Sequence, residues 1–238
     1  RSLGFTNTCT SLFERLYLHV RKQGWDHAYG ILGYQGRMHT ALMEFPNNYF
    51  YEGKLKVLDS SARQTASDLY KHSHPSYSWL AQRKIFIDTP EDNEINWKTN
   101  KFEAEKCLEI IRGLLVVFDQ NKIPLTPESI GIITPYRAQI ALIRQKLEVL
   151  PPEVYNKISV DTVERYQGGA RSVIIISFCV NRLTQLDSLV SLSNEGTDRK
   201  MNVAITRAKE QIILIGNKNI LSKNETYRKL IEHYEQTP

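Results

Sequence analysis

The 238-residue sequence predicts an α/β fold, a parallel β-sheet with helices on both faces. Three observations carry that expectation. Short Ile/Val-rich runs alternate with longer stretches of helical period, the order of a βαβ chain. The strand runs are almost continuously apolar, as strands covered on both faces must be. Polar phrases follow the strand runs, where an open parallel sheet places its working residues.

Taken in order, "TSLFERLYLHVRKQG" is a helix, because Leu12, Leu16 and Val20 keep helical spacing with Phe13 beside them and Gly24 stops it. "GYQGRMH" is a loop, and "TALMEFPNNYFYEGKL" is helical on both sides of Pro46. Residues 56–82 are polar and weakly patterned and are read as an irregular excursion. From Lys84 the pattern sharpens. "KIFIDT" is a strand, and "NKFEAEKCLEIIRGLLVVFDQN" is an amphipathic helix whose Cys107, Ile110, Ile111, Leu114, Leu115 and Phe118 step by three and four. Asn100 and Glu103 are spaced as a capping box. "SIGIITP" is a buried strand, and "YRAQIALIRQKLEVL" a helix with Thr134 as its expected N-cap and Pro135 as its first residue. "ISVDTV" and "RSVIIISFC" are strands, "DRKMNVAITRAKE" is a short helix capped by Asp198, "QIILIGN" is a last strand, and "NETYRKLIEHY" a closing helix. Thr134, Thr162 and Asn217 each stand at the carboxyl end of a strand run.

Composition narrows the function class. The chain is 41% hydrophobic and 24% charged, which suits one large or two small globular domains. No run approaches the ~18 apolar residues of a membrane span, and the first residues lack the apolar centre of a secretory signal, so no membrane partner is expected. Cys9, Cys107 and Cys179 are sparse and far apart, which fits a reducing, intracellular setting rather than a disulfide framework or a metal knuckle. A net charge of +5 permits a polyanionic partner without requiring one.

Some expected parts are missing. The sequence has no GxxxxGK[ST] loop and no GxGxxG after a strand. "QGGARS" leads into a strand, not a helix, so it is no phosphate cradle. No apolar strand ends in paired acids that would hold Mg²⁺, and no nucleophile–base set is placed convincingly. His72 and His74 could form a metal pair, but with no Cys or acid beside them they read as loop residues. By itself the chain is expected to be unable to cleave a phosphoanhydride; it reads as half of a site.

Four phrases, "QGRMHTALMEFPNNYFYEGKL", "IGIITPYRAQ", "VDTVERYQGGARSVIIISF" and "RKMNVAITRAKEQIILIGN", occur in an order that resembles the second, carboxy-terminal RecA-like domain of superfamily 1 helicases of the nonsense-mediated-decay and replication type. The resemblance runs from about Ser11 to Leu221. It implies a RecA-like sheet of the P-loop NTPase superfamily without its own Walker A loop. It also implies one motor domain over 1–238, with a helical lead-in at 1–55, an excursion at 56–82 and an α/β core at 83–238, as a fragment of a longer helicase. ATP and Mg would be held mainly by the first RecA-like domain of the same polypeptide. The other partner would be single-stranded DNA or RNA.

By the same resemblance, Arg37 and Arg207 would reach the γ-phosphate as arginine fingers, and Gln35, Gln167 and Gly168 would line the nucleotide side. Thr134, Pro135, Tyr136, Arg137 and Thr162 would face a single strand. Read as residues alone, Arg207 also fits an ordinary arginine on a helix flank, Thr134 a plain cap, Tyr136 a packing residue and Gln167 a turn brace; His39 reads as structural. The sequence departs from the family at two points. Gly36 stands where a Tyr would stack on adenine, and Gly169-Ala170-Arg171-Ser172 replaces a stretch that carries an acid. Two other readings remain beside the motor domain. One is a nucleic-acid-binding or regulatory module that has lost catalysis; the other is a Rossmann-like small-molecule enzyme, against which the missing glycine fingerprint counts.

Overall fold

The computed structural model describes residues 12–30, 32–58, 62–92, 98–166, 169–190 and 198–235. It divides into two compact units, Arg1–Tyr34 and Gln35–Pro238. In the first, α1 (Leu12–Lys22) buries none of its residues. It ends as the sequence predicts, with Gly24 in the left-handed region at φ +68.

The second unit is built on a five-stranded, all-parallel sheet. Strand β1 (Tyr34–Gln35), α2 (Thr40–Phe50) and β2 (Lys56–Val57) precede it. Its strands are β3 (Lys84–Asp88), β4 (Ile130–Ile133), β5 (Ile158–Asp161), β6 (Arg171–Ser177) and β7 (Ala208–Gly216), in the order β3-β7-β6-β4-β5. Helices α3 (Lys101–Gln120), α4 (Arg137–Leu147), α5 (Pro152–Tyr155), α6 (Leu183–Leu189), α7 (Arg199–Ile205), α8 (Lys218–Leu221) and α9 (Glu225–Glu235) complete it.

The apolar strands follow from the two-sided burial. On one face Val173, Ile175, Ile213 and Ile215 pack with Cys107, Ile110, Ile111 and Leu114 of α3 and Ile143 of α4. On the other, Ile174, Ile176, Ile212 and Leu214 pack with Leu42 and Phe45 of α2, Met201 and Ile205 of α7, and Tyr227 and Leu230 of α9. Alternate residues of one strand thus serve two cores, so both alternating sets are apolar over Val173–Ile176 and Ile212–Ile215. The α/β class, the parallel sheet and the helices on both faces are as the sequence predicts.

Residues 62–81 fold into two 3₁₀ segments, Ala62–Thr65 and Pro75–Ala81. Leu80 of the second is fully buried. It approaches α3 at Gly113, where a Cβ would lie 2.8 Å from both Leu80 and Tyr77.

Three local expectations are corrected. The N-cap of α4 is Tyr136, not Thr134, and Pro135 precedes the helix. Thr134 instead prolongs the sheet, its amide donating to the Asp161 carbonyl at 3.2 Å, so the chain turns into the helix only two residues later. The "NVAITRAKE" helix stops at Ile205, and Ala208 opens β7. Thr206 and Arg207 therefore form the helix-to-strand turn, closed by Thr206 Oγ1 donating to the Asn202 carbonyl at 2.8 Å. The capping box at α3 is half formed. Asn100 accepts from the Glu103 amide at 2.9 Å, but the Glu103 carboxylate accepts from Ser177 Oγ and the Cys179 amide, and Gln139 takes the Asn100 amide instead.

Candidate functional site

The first group is a loop clamped onto a turn. The Gln35 carboxamide oxygen accepts from the amides of Arg37 at 2.9 Å and Met38 at 2.7 Å, folding 35–38 around itself. Its nitrogen donates to the Met38 carbonyl at 3.0 Å. Gln64 donates to the carbonyls of Gln35 and Met38, and Arg63 to those of Gly36 and Arg37. Arg63 is in turn paired with Glu210 of β7. The His39 amide donates to the Lys209 carbonyl at 2.9 Å. His39 Nδ1 caps α2 by accepting from the Ala41 amide, and Nε2 donates to the Ala66 carbonyl at 2.8 Å. Burial lowers the His39 pKa, which favours the neutral ring whose Nδ1 accepts from Ala41.

These contacts bring the two predicted finger residues together. Arg37 Nη1 donates to the Thr206 carbonyl at 3.0 Å, one residue before Arg207. Arg207 is held by its own surroundings, Nε donating to the Val203 carbonyl at 3.0 Å and Nη1 to Gly169 at 3.3 Å. Both arginines are half-buried. The pKa of Arg207 is lowered, first by burial and then by the Arg37 charge, with Tyr51 opposing. Among the described residues neither guanidinium has a carboxylate partner. Their polar contacts in the site are neutral backbone carbonyls. Two like charges, partly desolvated and without a carboxylate partner among the described residues, have the chemistry to accept an anion.

Asn202 and Tyr51 adjoin this pair and were not singled out by the sequence. Asn202 Nδ2 donates to the Tyr51 hydroxyl at 3.4 Å, while its Oδ1 is buried without a hydrogen-bond partner among the described residues. Gly36 is exposed, and a Cβ there would meet Leu58 Cδ1 at 2.9 Å. Arg171 is absorbed by the sheet, its Nε donating to Ser159 Oγ at 3.1 Å with the guanidinium 5.6 Å from the centre of the Tyr166 ring. Gln167 and Gly168 lie outside the described residues.

The predicted strand-facing residues divide. Thr134 and Pro135 line an apolar cavity of about 70 Å³ with Ile176, Phe178, Met201 and Tyr227. The Thr134 hydroxyl is buried without a partner among the described residues. Tyr136 is half-buried, and its hydroxyl accepts from Gln185 Nε2 at 3.4 Å. Arg137 and Thr162 share a separate cleft with Arg144, Asp161 and Arg165.

A family model described as an AAA domain matches residues 8–219. The chain is 36% identical over 233 residues to an uncharacterized ATP-dependent helicase of Methanocaldococcus jannaschii, covering 93% of this chain and 31% of that protein. It is 29% identical over 236 residues to Regulator of nonsense transcripts 1 of Caenorhabditis elegans, covering 94% and 20%. It is 35% identical over 224 residues to Helicase SEN1 of Saccharomyces cerevisiae, covering 92% and 9%. The chain spans less than a third of the length of these curated relatives.

Proposed function

The chain belongs to the AAA domain family, and from that premise we propose that it is the second motor domain of an ATP-dependent nucleic-acid helicase or translocase. Arg37 and Arg207 contact the γ-phosphate of ATP bound on a first RecA-like domain of the same polypeptide. Thr134, Pro135, Tyr136, Arg137 and Thr162 belong to the single-strand track. Closure of the two domains on ATP, hydrolysis and reopening shift the grip on the strand. Gln35 acts by shaping the Arg37 loop, since its amide is spent on Arg37 and Met38.

The observation that carries this reading is the pair of half-buried arginines with no carboxylate partner among the described residues. Such a pair is costly in the free domain and is relieved when a multiply charged phosphate arrives. As charge moves on the terminal phosphate in the transition state, fixed guanidinia stabilise it without reorganising. The same cationic pair suits phosphate oxygens and does not suit a metal ion, so in this reading Mg²⁺ belongs to the other domain.

The test is a double-mutant cycle in a polypeptide joining this chain to its phosphate-loop domain. Arg37→Ala and Arg207→Ala should each depress ATP turnover, and together they should cost less than the sum of their separate effects, because both act on one phosphate. Two solvated arginines would leave turnover near normal in all three variants.

A further inference from the structure

Three arginines from two elements converge on the open edge of the sheet, away from the arginine pair. Strand β5 ends the strand order and so has one edge unpaired among the described residues. Helix α4 returns beside it, and Arg137, Ile140 and Arg144 fall on one face at helical spacing. Seven residues of helix separate the two arginines by roughly 10 Å. Arg144 Nη2 donates to the Val160 carbonyl of β5 at 3.1 Å, which lays its guanidinium across the edge. From beyond β5, Arg165 pairs with Asp161 at 3.6 Å while its side chain stays 72% exposed. The Asp161 carboxylate also accepts from the Thr162 amide at 2.9 Å. Between these groups lies a cleft of about 300 Å³ lined by Arg137, Arg144, Asp161, Thr162 and Arg165, with no aromatic ring among the described residues of its wall.

We infer that this cleft is a phosphodiester subsite that carries the single strand past Thr162 and along the edge of β5. The inference rests on the proposed strand track and adds Arg144 and Arg165 to it. Three guanidinia face one carboxylate, so the cleft keeps a surplus of positive charge. One of them is already oriented by a carbonyl, which reduces what ordering costs when a phosphate arrives. The Thr162 hydroxyl is already engaged by the Glu164 carboxylate, so the guanidinia are the donors that face the cleft. With no aromatic ring among the described residues of its wall, the cleft grips backbone through its guanidinia and is indifferent to sequence. Edge strands are also commonly covered by cationic side chains to prevent pairing with another chain. That protective role needs charge near the edge but no bound phosphate, and a salt titration tells the two apart.

The experiment measures binding of fluorescent oligo-dT and oligo-U to the 238-residue chain between about 50 and 200 mM KCl. The wild-type chain should bind both, with log K falling linearly against log salt. Arg144→Gln with Arg165→Gln should bind more weakly and with a slope shallower by about 0.7 for each phosphate that is no longer neutralised. Arg144→Lys with Arg165→Lys should keep most of the slope, since it keeps the charge, and this also guards against a folding artefact. Unchanged slope and affinity in the Gln variant, with normal wild-type binding, would overturn the subsite and leave the track standing. A wild-type chain that binds neither oligonucleotide would sink the track reading and the subsite with it.

Discussion

The guanidinium of Arg37 donates to the backbone carbonyl of Thr206 at 3.0 Å, across 169 residues of sequence. The acceptor belongs to the turn that carries Arg207, so the two arginines share one frame. Helix α7 sets that frame from one side through Asp198, which caps it by accepting from the Met201 amide at 3.1 Å. Strand β7 sets it from the other, since Ala208 is already in register with Arg171.

Gln35 holds the Arg37 side of the frame. Replacing it by Ala leaves two part-buried amides, those of Arg37 and Met38, without their acceptor. A loss of about 1–3 kcal/mol in unfolding free energy is expected. Gln35→Glu keeps an acceptor for both amides, so urea denaturation should show a smaller loss. Equal losses in the two variants would mean that the amides do not depend on this oxygen.

Glu103 gives the fold a pH dependence. Burial pushes its carboxyl up to about 7, opposed by hydrogen bonds from Ser177 and Cys179, with Asp92 adding a further rise. A raised folded-state value means that the native protein binds the proton more tightly than the unfolded chain. The stabilisation is therefore complete below about pH 4.5 and is lost as pH rises through about 7. The loss is on the order of 3 kcal/mol. Glu103→Gln removes the titration, so its stability relative to wild type should improve between pH 5 and pH 8. Denaturation curves at the two pH values check this; a difference that does not change with pH would rule it out.

The parallel sheet was legible because both of its faces are buried, which writes Ile and Val at consecutive positions such as Val173–Ile176 and Ile212–Ile215. Long helices were legible for the complementary reason, one buried stripe, as in α3. The boundaries near the site were harder. "NVAITRAKE" keeps helical spacing through Ala208, but Ala208 is also the right small residue to open β7, and sheet register decides between the two. Thr134 and Pro135 look like a helix start, yet the ladder to β5 continues one residue further. Arg63 and Gln64 had no local signal, because they act on a loop 26 or more residues earlier in the chain. Arg144 did leave one, seven residues after Arg137 on the same helical face.

The isolated 238-residue chain is expected to release no phosphate from ATP above background, with or without single-stranded nucleic acid. Arg37 and Arg207 are proposed to meet the terminal phosphate, but the sequence has no GxxxxGK[ST] loop to hold the rest of the nucleotide. A phosphate-release assay on the purified chain checks this, and nucleic-acid-stimulated turnover would show that the site is complete within it.

The most direct measurement is ATPase turnover of Arg207→Ala in a polypeptide that joins this chain to the proposed phosphate-loop domain. If Arg207 acts on the transition state, kcat falls far more than the affinity for ATP. Arginine fingers contribute about 10³–10⁵ in rate in GTPase systems, and a smaller factor is expected here because Arg37 shares the phosphate. Arg207→Lys should recover only part of the rate, since an ammonium lacks the planar fork. Turnover close to wild type in a folded Arg207→Ala protein would mean that the arginine is a structural bridge to Val203 and Gly169 and that the paired-finger reading is wrong.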